Sequence, residues 1–394
     1  MPFTTLTALV ALVAAVALAA TAPAPAAALP RIHVEPERGI DDDGVPAQVR
    51  APGFTGAAEI ELRGQFSRTL PKKSYALELR DAEGENADAP LLGMPADDDW
   101  VLYAAYNDRT LMRNAVAYAA SRAIGRYAAR TRFVELWIRG RSRGVYVLME
   151  KLKLQKARVP GGDDAFLLEL TSPRQAPDKG DGFTTPVKRL PIVWEDPDRE
   201  DLSADRAARI RAAVARAERA IYRGRPGAWR RHLHGPSAVD HLLLTELFKN
   251  QDGMFASTFM TAPRPSAPLR LGPLWDFDIS MGAPGRVAGG RASSGWMLAG
   301  RPWAEALYRD PVFARAFARR WRELRRDGLR GRLLRIVDRN ERRLRGPARD
   351  ELRRWPAGRP HRPAGSYASH VRFLEGWLER RIAWIDRNAG GLGS

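Results

Sequence analysis

Two hydrophobic periods follow one another along the chain, and their order limits what it can fold into. Residues 59–63 and 75–79 alternate apolar with polar side chains, the period of a half-buried strand. The stretch 31–81 as a whole reads as strands. Residues 133–139 and 145–150 are two further β-rich runs, and glycines 140 and 144 turn between them as a hairpin. Another strand is expected at 165–170. Residues 171–200, rich in Pro, Asp and Gly, read as an extended connection. From there the period becomes helical. Ser203 or Asp205 starts a helix to about residue 222, and 239–250 forms a shorter, more apolar one. Beyond about 300 the chain is helical and Arg-rich, with Trp303, Trp321, Trp355, Trp377 and Trp384 as packing anchors. Strands first and helices later, without an internal repeat, favour an α+β, bilobal protein with a β-rich N-terminal half and a helical C-terminal half.

The first residues belong to none of this. Residues 6–20 are an uncharged apolar run, short for a bilayer span and of the length of a signal-peptide core. Ala26 and Ala28 offer an A-x-A cleavage site before Leu29. The first five residues carry no Lys or Arg, so a retained anchor is the competing reading. The expected organisation is a signal peptide at 1–28, a β-rich region at 29–190, a core with the chemical motifs at 191–300, and an Arg-rich helical region at 301–394. A monomer that is secreted, periplasmic or held in the cell envelope follows, with no spanning segment after removal of the signal. The absence of cysteine suits an oxidising compartment. It also excludes a disulfide scaffold, a Cys-based zinc site and thiol nucleophiles. None of the six histidines forms an HExxH pair, which excludes a zincin-type hydrolase. Of 64 basic residues only eight are Lys, against 46 acidic, for a net charge of +18. Such an Arg excess has two readings: base composition, or an anionic partner such as an envelope polymer, nucleic acid or nucleotide.

Two constellations can carry chemistry. Glu246 and Asn250 are four apart on the expected helix, and Asp252-Gly253 follow in a turn. Asp276 and Asp278 are two apart on what reads as the end of a strand over 269–278, so both face one side. Hard oxygen ligands of this kind suit Mg2+ or Mn2+. Twenty-four residues separate 252 from 276, enough for the chain to fold back and join them. A capped loop and a surface acidic pair is the plain alternative. Before residue 74 lies a basic loop, 63–73, ending in Lys72-Lys73; of two lysines entering an alternating strand only one points inward, and a buried amine needs a phosphate or an acid such as Glu150. Asp108 can cap a helix from about 110 to 124, with Gly125 as its stop.

In this order along about 60–390, the motifs resemble the spore-coat CotH kinase family, secreted atypical members of the protein-kinase-like fold. Arg63-Gly64 and Pro71-Lys-Lys-Ser-Tyr75 resemble its entry motif. Leu92-Gly93, Asp99-Trp-Val-Leu102 and Leu111-Met-Arg-Asn114 resemble the stretch that follows. Phe133-Val-Glu135 and Gly144-Val-Tyr-Val-Leu-Met-Glu150 resemble its hairpin. Glu246, Asn250, Asp252, Ser257 and Thr258 precede a Gly272-Pro-Leu-Trp-Asp-Phe-Asp278 that resembles its acidic motif. Three features depart from the family pattern: Ala283 in place of a common Asn, Phe66 in place of a common Gly, and no Lys after Thr258.

The resemblance implies ATP as phosphoryl donor with Mg2+ or Mn2+. Lys73 would pair with the α/β-phosphates, and the loop with Arg63, Gly64 and Ser67 would lie over them. Glu150, or Glu135, would be the ion-pair partner of Lys73. Asp276 would be the main metal ligand and Asp278 a second ligand or its support. Asp252 would orient the attacking hydroxyl or accept its proton, with Asn250 beside it, and Asn114 and Arg113 would support the pocket. The implied function is an exported kinase acting on Ser or Thr of an envelope or secreted protein. A kinase-fold protein that binds an envelope layer without catalysis, and a metal-dependent phosphodiesterase using the same carboxylates, are the alternatives.

Overall fold

The computed structural model describes residues 28–285, 287–357 and 363–392. The signal peptide expected at 1–28 therefore lies outside the described residues except for Ala28. The first strands are β1 (Arg31–Pro36), β2 (Val45–Ala51), β3 (Phe54–Arg63), β4 (Ser74–Leu79) and β5 (Asp99–Tyr103). After helix α1 (Arg113–Ala123) come β6 (Thr131–Ile138) and β7 (Arg141–Glu150). The seven close into a barrel in the order β1-β2-β3-β4-β5-β7-β6. Each neighbour is antiparallel except the closing pair, where Arg31–Val34 of β1 runs parallel to Glu135–Ile138 of β6. The alternation seen in the sequence places Val45, Ala47, Val49 and Ala51 of β2 inward, with Pro46, Gln48 and Arg50 outward. Ile32, Val34, Ile60, Leu77, Trp100, Val134, Leu136 and Leu148 complete a dry interior. The hairpin β6–β7 turns on Arg139 and Gly140, both with positive φ (51° and 65°), the backbone that a two-residue hairpin requires.

A second sheet follows, built from β8 (Phe166–Leu170), β9 (Gly182–Thr184), β10 (Pro191–Asp196), β11 (Thr258–Ala262) and β12 (Arg270–Leu271), in the order β12-β11-β8-β10-β9. β8 is its centre and all five of its residues are buried. The stretch 171–200 is thus not simply an extended connection. Ile192, Val193 and Trp194 are too short a run to announce a strand, and pairing with β8 is what makes them one.

Helices α2 (Ala204–Arg223) and α3 (Gly235–Phe248) pack on this sheet, and α4 (Ala304–Arg309), α5 (Pro311–Arg326), α6 (Leu329–Leu344), α7 (Pro347–Arg354) and α8 (Tyr367–Asn388) close the C-terminal end. The fold is mixed α+β, with a β-rich N-terminal half and helices in the C-terminal half. Ser203 caps α2 as expected, accepting the Arg206 amide. Trp303, Trp321 and Trp377 are buried, while Trp355 and Trp384 are half-buried. No helix of the described residues is long and apolar enough to cross a membrane.

Several boundaries differ from the sequence reading, and α3 begins at Gly235 rather than 239. α1 begins at Arg113 rather than 110, because the Asp108 carboxylate takes the amides of both Thr110 and Arg113 and holds 108–112 as a turn. α3 stops at Phe248, where Lys249 turns left-handed (φ 51°), so Asn250 leaves the helix and does not share a helical face with Glu246. β12 ends at Leu271, and residues 272–278 are not a strand; Asp276 itself has φ 55°.

Candidate active site

The segment after β12 is held on two sides. From α1, Tyr118 accepts the Asp276 amide on its phenolic oxygen (3.1 Å), and Asn114, one turn earlier on the same face, accepts the Phe277 amide (2.6 Å). Arg113 donates to the Ser280 carbonyl at 3.0 Å. From the end of α3, the Asn250 amide donates to the Asp276 carbonyl (2.9 Å), and its oxygen accepts the Asp252 amide (3.2 Å). Asn250 is 4 % exposed and ties the two acidic motifs together. The amide of Gln251 on the carbonyl of Ile279, and that of Met281 on Phe248, continue the seam.

Inside this frame the Asp276 and Asp278 carboxyls act on each other, and Tyr103, from the end of β5, acts on Asp278. Both residues are half-buried. Burial, then the charge of Asp278, then that of Asp252, push the Asp276 carboxyl well above the usual carboxylate range. Burial likewise raises Asp278, while Asp276 and Tyr103 work against the rise. Asp252, Asp276 and Asp278 do not all come within 4.8 Å of one another; among the described residues Asp88, Asp97 and Asp98 do. Within that second group Asp97 and Asp98 pair with Lys153, which also meets Asp99, and Asp97 pairs with Arg158.

The second sheet adds acids that the sequence motifs do not include. Glu169 of β8 acts on Asp276. It accepts the Ser257 amide and pairs with Lys179. Glu195 of β10 neighbours Glu169; burial first, and the Glu169 charge second, push its carboxyl up to about 8. In the pairing of β10 with β8, Val193 stands opposite Glu169, so Glu195, two residues on, faces the same side as Glu169. Only the pairing with β8 sets that register. Two cations face these acids. Lys179 is one, and Arg63, at the end of β3, is the other: its guanidinium lies 5.7 Å from the Trp275 ring centre, and its charge reaches Glu195 and Tyr118.

The loop that opens at Arg63 is a short turn. Ser67 donates to the Arg63 carbonyl at 2.8 Å. Gly64 has φ 84°, and a Cβ there would sit 2.2 Å from the Ser67 hydroxyl, so the turn needs glycine. Gln65 bonds the Gln175 carbonyl (3.0 Å) and so joins the barrel to the second sheet across the cleft.

The lysines fall out differently from expectation. Lys72 is the inward one, 1 % exposed, and pairs with Glu351 of α7 at 2.7 Å while donating to the Val145 carbonyl. Lys73 lies toward the surface and donates to the Arg68 carbonyl. Neither carboxylate expected to pair with Lys73 does so. Glu150 binds Arg130 and Tyr127, and Glu135 binds Arg31 and Ser142. The reason is distance along the chain: Glu351 arrives from a helix that no reading of the strand could place. Glu246 also has a structural environment, fully buried, taking the amides of Met297 and Leu298 and pairing with the equally buried Arg381 at 2.9 Å.

Paired, half-buried aspartates with further acids and two cations, Arg63 and Lys179, around them are an arrangement for handling phosphate beside a cation. Comparison with known proteins agrees with this chemistry. No curated protein matches the chain. The family model described as CotH kinase protein matches residues 60–385. With most of its length inside that match, the chain belongs to the CotH kinase family.

Proposed function

We propose that the chain is an exported kinase of bilobal, protein-kinase-like architecture that transfers the γ-phosphoryl group of ATP to a Ser or Thr hydroxyl of an envelope or secreted protein. Family membership implies a kinase-like function and ATP use. The observation that carries the reading is the Asp276–Asp278 pair: two half-buried carboxyls, with the charges of Asp278, Asp252 and Glu169 all acting on Asp276. Two carboxyls held so close, with Asp252 and Glu169 adding negative charge, fit a divalent cation, and their oxygens suit Mg2+ or Mn2+. Asp276 and Asp278 would hold that ion, which supplies charge neutralisation for the phosphate oxygens.

The remaining work falls to this chain's own groups. Arg63 and Lys179 place positive charge on the phosphate side of the cleft, the part that sequence alone gave to Lys73. Gly64 and Ser67 shape the turn over it. Asn250 fixes Asp252 relative to Asp276, so that the Asp252 carboxylate can orient the acceptor hydroxyl. In the transfer the acceptor oxygen bonds to the γ-phosphorus, the bond from that phosphorus to the β–γ bridging oxygen breaks, and the acceptor proton passes to Asp252. ADP leaves with the bridging oxygen.

The test compares γ- and α-labelled ATP with envelope extract as acceptor. Label from the γ position alone is expected on protein. Asp252→Asn should retain nucleotide binding and lose roughly a hundredfold or more in rate. Transfer of α-label would instead show nucleotidylation, and an Asp252→Asn variant working at the wild-type rate would remove that residue from the role. The turning away of Lys73 favours the non-catalytic envelope binder as the second reading. It predicts no label from either position, with salt-sensitive binding to anionic polymer.

A further inference from the structure

We propose that the cavity behind the segment Asp276–Gly282 binds a tetrahedral oxyanion of the phosphate class, at a site separate from the cleft that holds Asp276 and Asp278. The cavity encloses about 230 Å3, and Arg109, Arg113, Arg291, Thr110, Ser369 and His370 contribute to its wall. Its positive charge is in excess. Arg113 is balanced by Asp108, which it meets in an ion pair. Arg109 is not balanced in this way. It is 5 % exposed, its Nη1 donates to the Trp355 carbonyl at 3.0 Å, and among the described residues its Nε–H has no acceptor. The carboxylate whose charge does reach it, Glu351, is already held by Lys72 and the Val145 amide. A buried guanidinium with an unused donor is costly unless an anion completes it.

Two more groups converge on the same space. Arg291 is exposed and brings a further cation to the wall. The His370 Nε2 is buried and has no partner among the described residues. Burial first, then Arg109 and Arg113, lower its pKa, with Asp108 working the other way. A neutral Nε2 is an acceptor, and a hydrogen phosphate carries both the P–OH that it can take and the oxygens that Arg109 and Arg291 can donate to. A planar carboxylate would offer the oxygens without the hydroxyl. The volume admits the ion with room for the attached atoms of a phosphate monoester.

The site would also be felt in the cleft. Gly282 lines the cavity, and Arg113, on its wall, holds the Ser280 carbonyl. Asp108, the partner of Arg113, acts on Asp278. An anion here would therefore stiffen the segment that presents both aspartates.

The test uses the full chain in EDTA without nucleotide, titrated calorimetrically with inorganic phosphate and, separately, with phosphoserine. Saturable binding of at least one is expected, in wild type and equally in Asp276→Asn, which isolates this site from the phosphoryl-transfer reading. Arg291→Gln, at an exposed position that folding does not depend on, should weaken binding about tenfold or more, and Arg322→Gln on a distant face should leave it unchanged. Arg109→Gln should abolish binding where circular dichroism shows it folded. Tighter phosphate than phosphoserine identifies the free ion as the source, and the reverse order a phosphoryl group carried on a chain. The proposal is overturned by absence of saturable binding, by loss in Asp276→Asn with retention in Arg291→Gln, or by equal weakening from Arg322→Gln.

Discussion

Replacing Lys72 and Lys73 one at a time by Met separates a structural amine from a surface one. The Lys72 amine lies 2.7 Å from Glu351 and 4.5 Å from the centre of the Tyr146 ring, and both ends of the pair are about fully buried. Glu351 reaches it only because residue 144 is glycine; a Cβ there would meet the Glu351 carboxylate at 2.1 Å. Lys72→Met leaves that carboxylate buried with the Val145 amide as its remaining donor. Removing one partner of a buried pair costs about 3–5 kcal/mol. With an unfolding entropy of about 2.1 cal/mol/K per residue, a chain of this size should lose roughly 4–6 °C in melting temperature. Lys73→Met removes one exposed bond to a carbonyl and should stay within about 0.5 kcal/mol of wild type. The double variant Lys72→Met/Glu351→Gln keeps an acceptor for the Val145 amide without a buried charge, and should recover about 2 kcal/mol of the loss. Urea unfolding of the four proteins, followed by tryptophan fluorescence, reads all of this. The reasoning fails if Lys72→Met is as stable as wild type, or if Lys73→Met is the unstable one.

Asp276→Asn should melt no lower than wild type in EDTA, because it removes a carboxyl whose charged form burial and the charges of Asp278 and Asp252 disfavour, and it should lose the upward melting shift that Mn2+ gives the wild type; an undiminished shift would place the cation elsewhere. His241 is buried and neutral, and burial alone lowers its pKa to about 4 against the ordinary 6.5. Its contribution to stability is complete above pH 6.5 and is lost as pH falls to about 4, because the unfolded chain takes up the proton first, for a total of about 3 kcal/mol. The stability difference between wild type and His241→Leu should therefore shrink by that amount between pH 7.5 and 4, and parallel curves would contradict it.

Local pattern and tertiary position divide cleanly at particular residues. The alternation along 45–51 and 75–79, the glycine turn at 140, and the Ser203 cap are consequences of neighbours within a few residues, so the strands, the hairpin and the start of α2 could be read directly. The family resemblance was legible for the same reason, as an ordered set of short motifs. What could not be read was set by partners far away in sequence. Pairing with β8 made a strand of 191–196 and turned Glu195 onto Glu169. A helix ending at Phe248, rather than continuing, freed Asn250 to tie Asp252 to Asp276. Glu351 from α7 chose Lys72 over Lys73 as the buried amine, although the two are adjacent and chemically identical. Periodicity reports which way a side chain points relative to its own element; which charge waits on the other side is decided only when distant elements close on it.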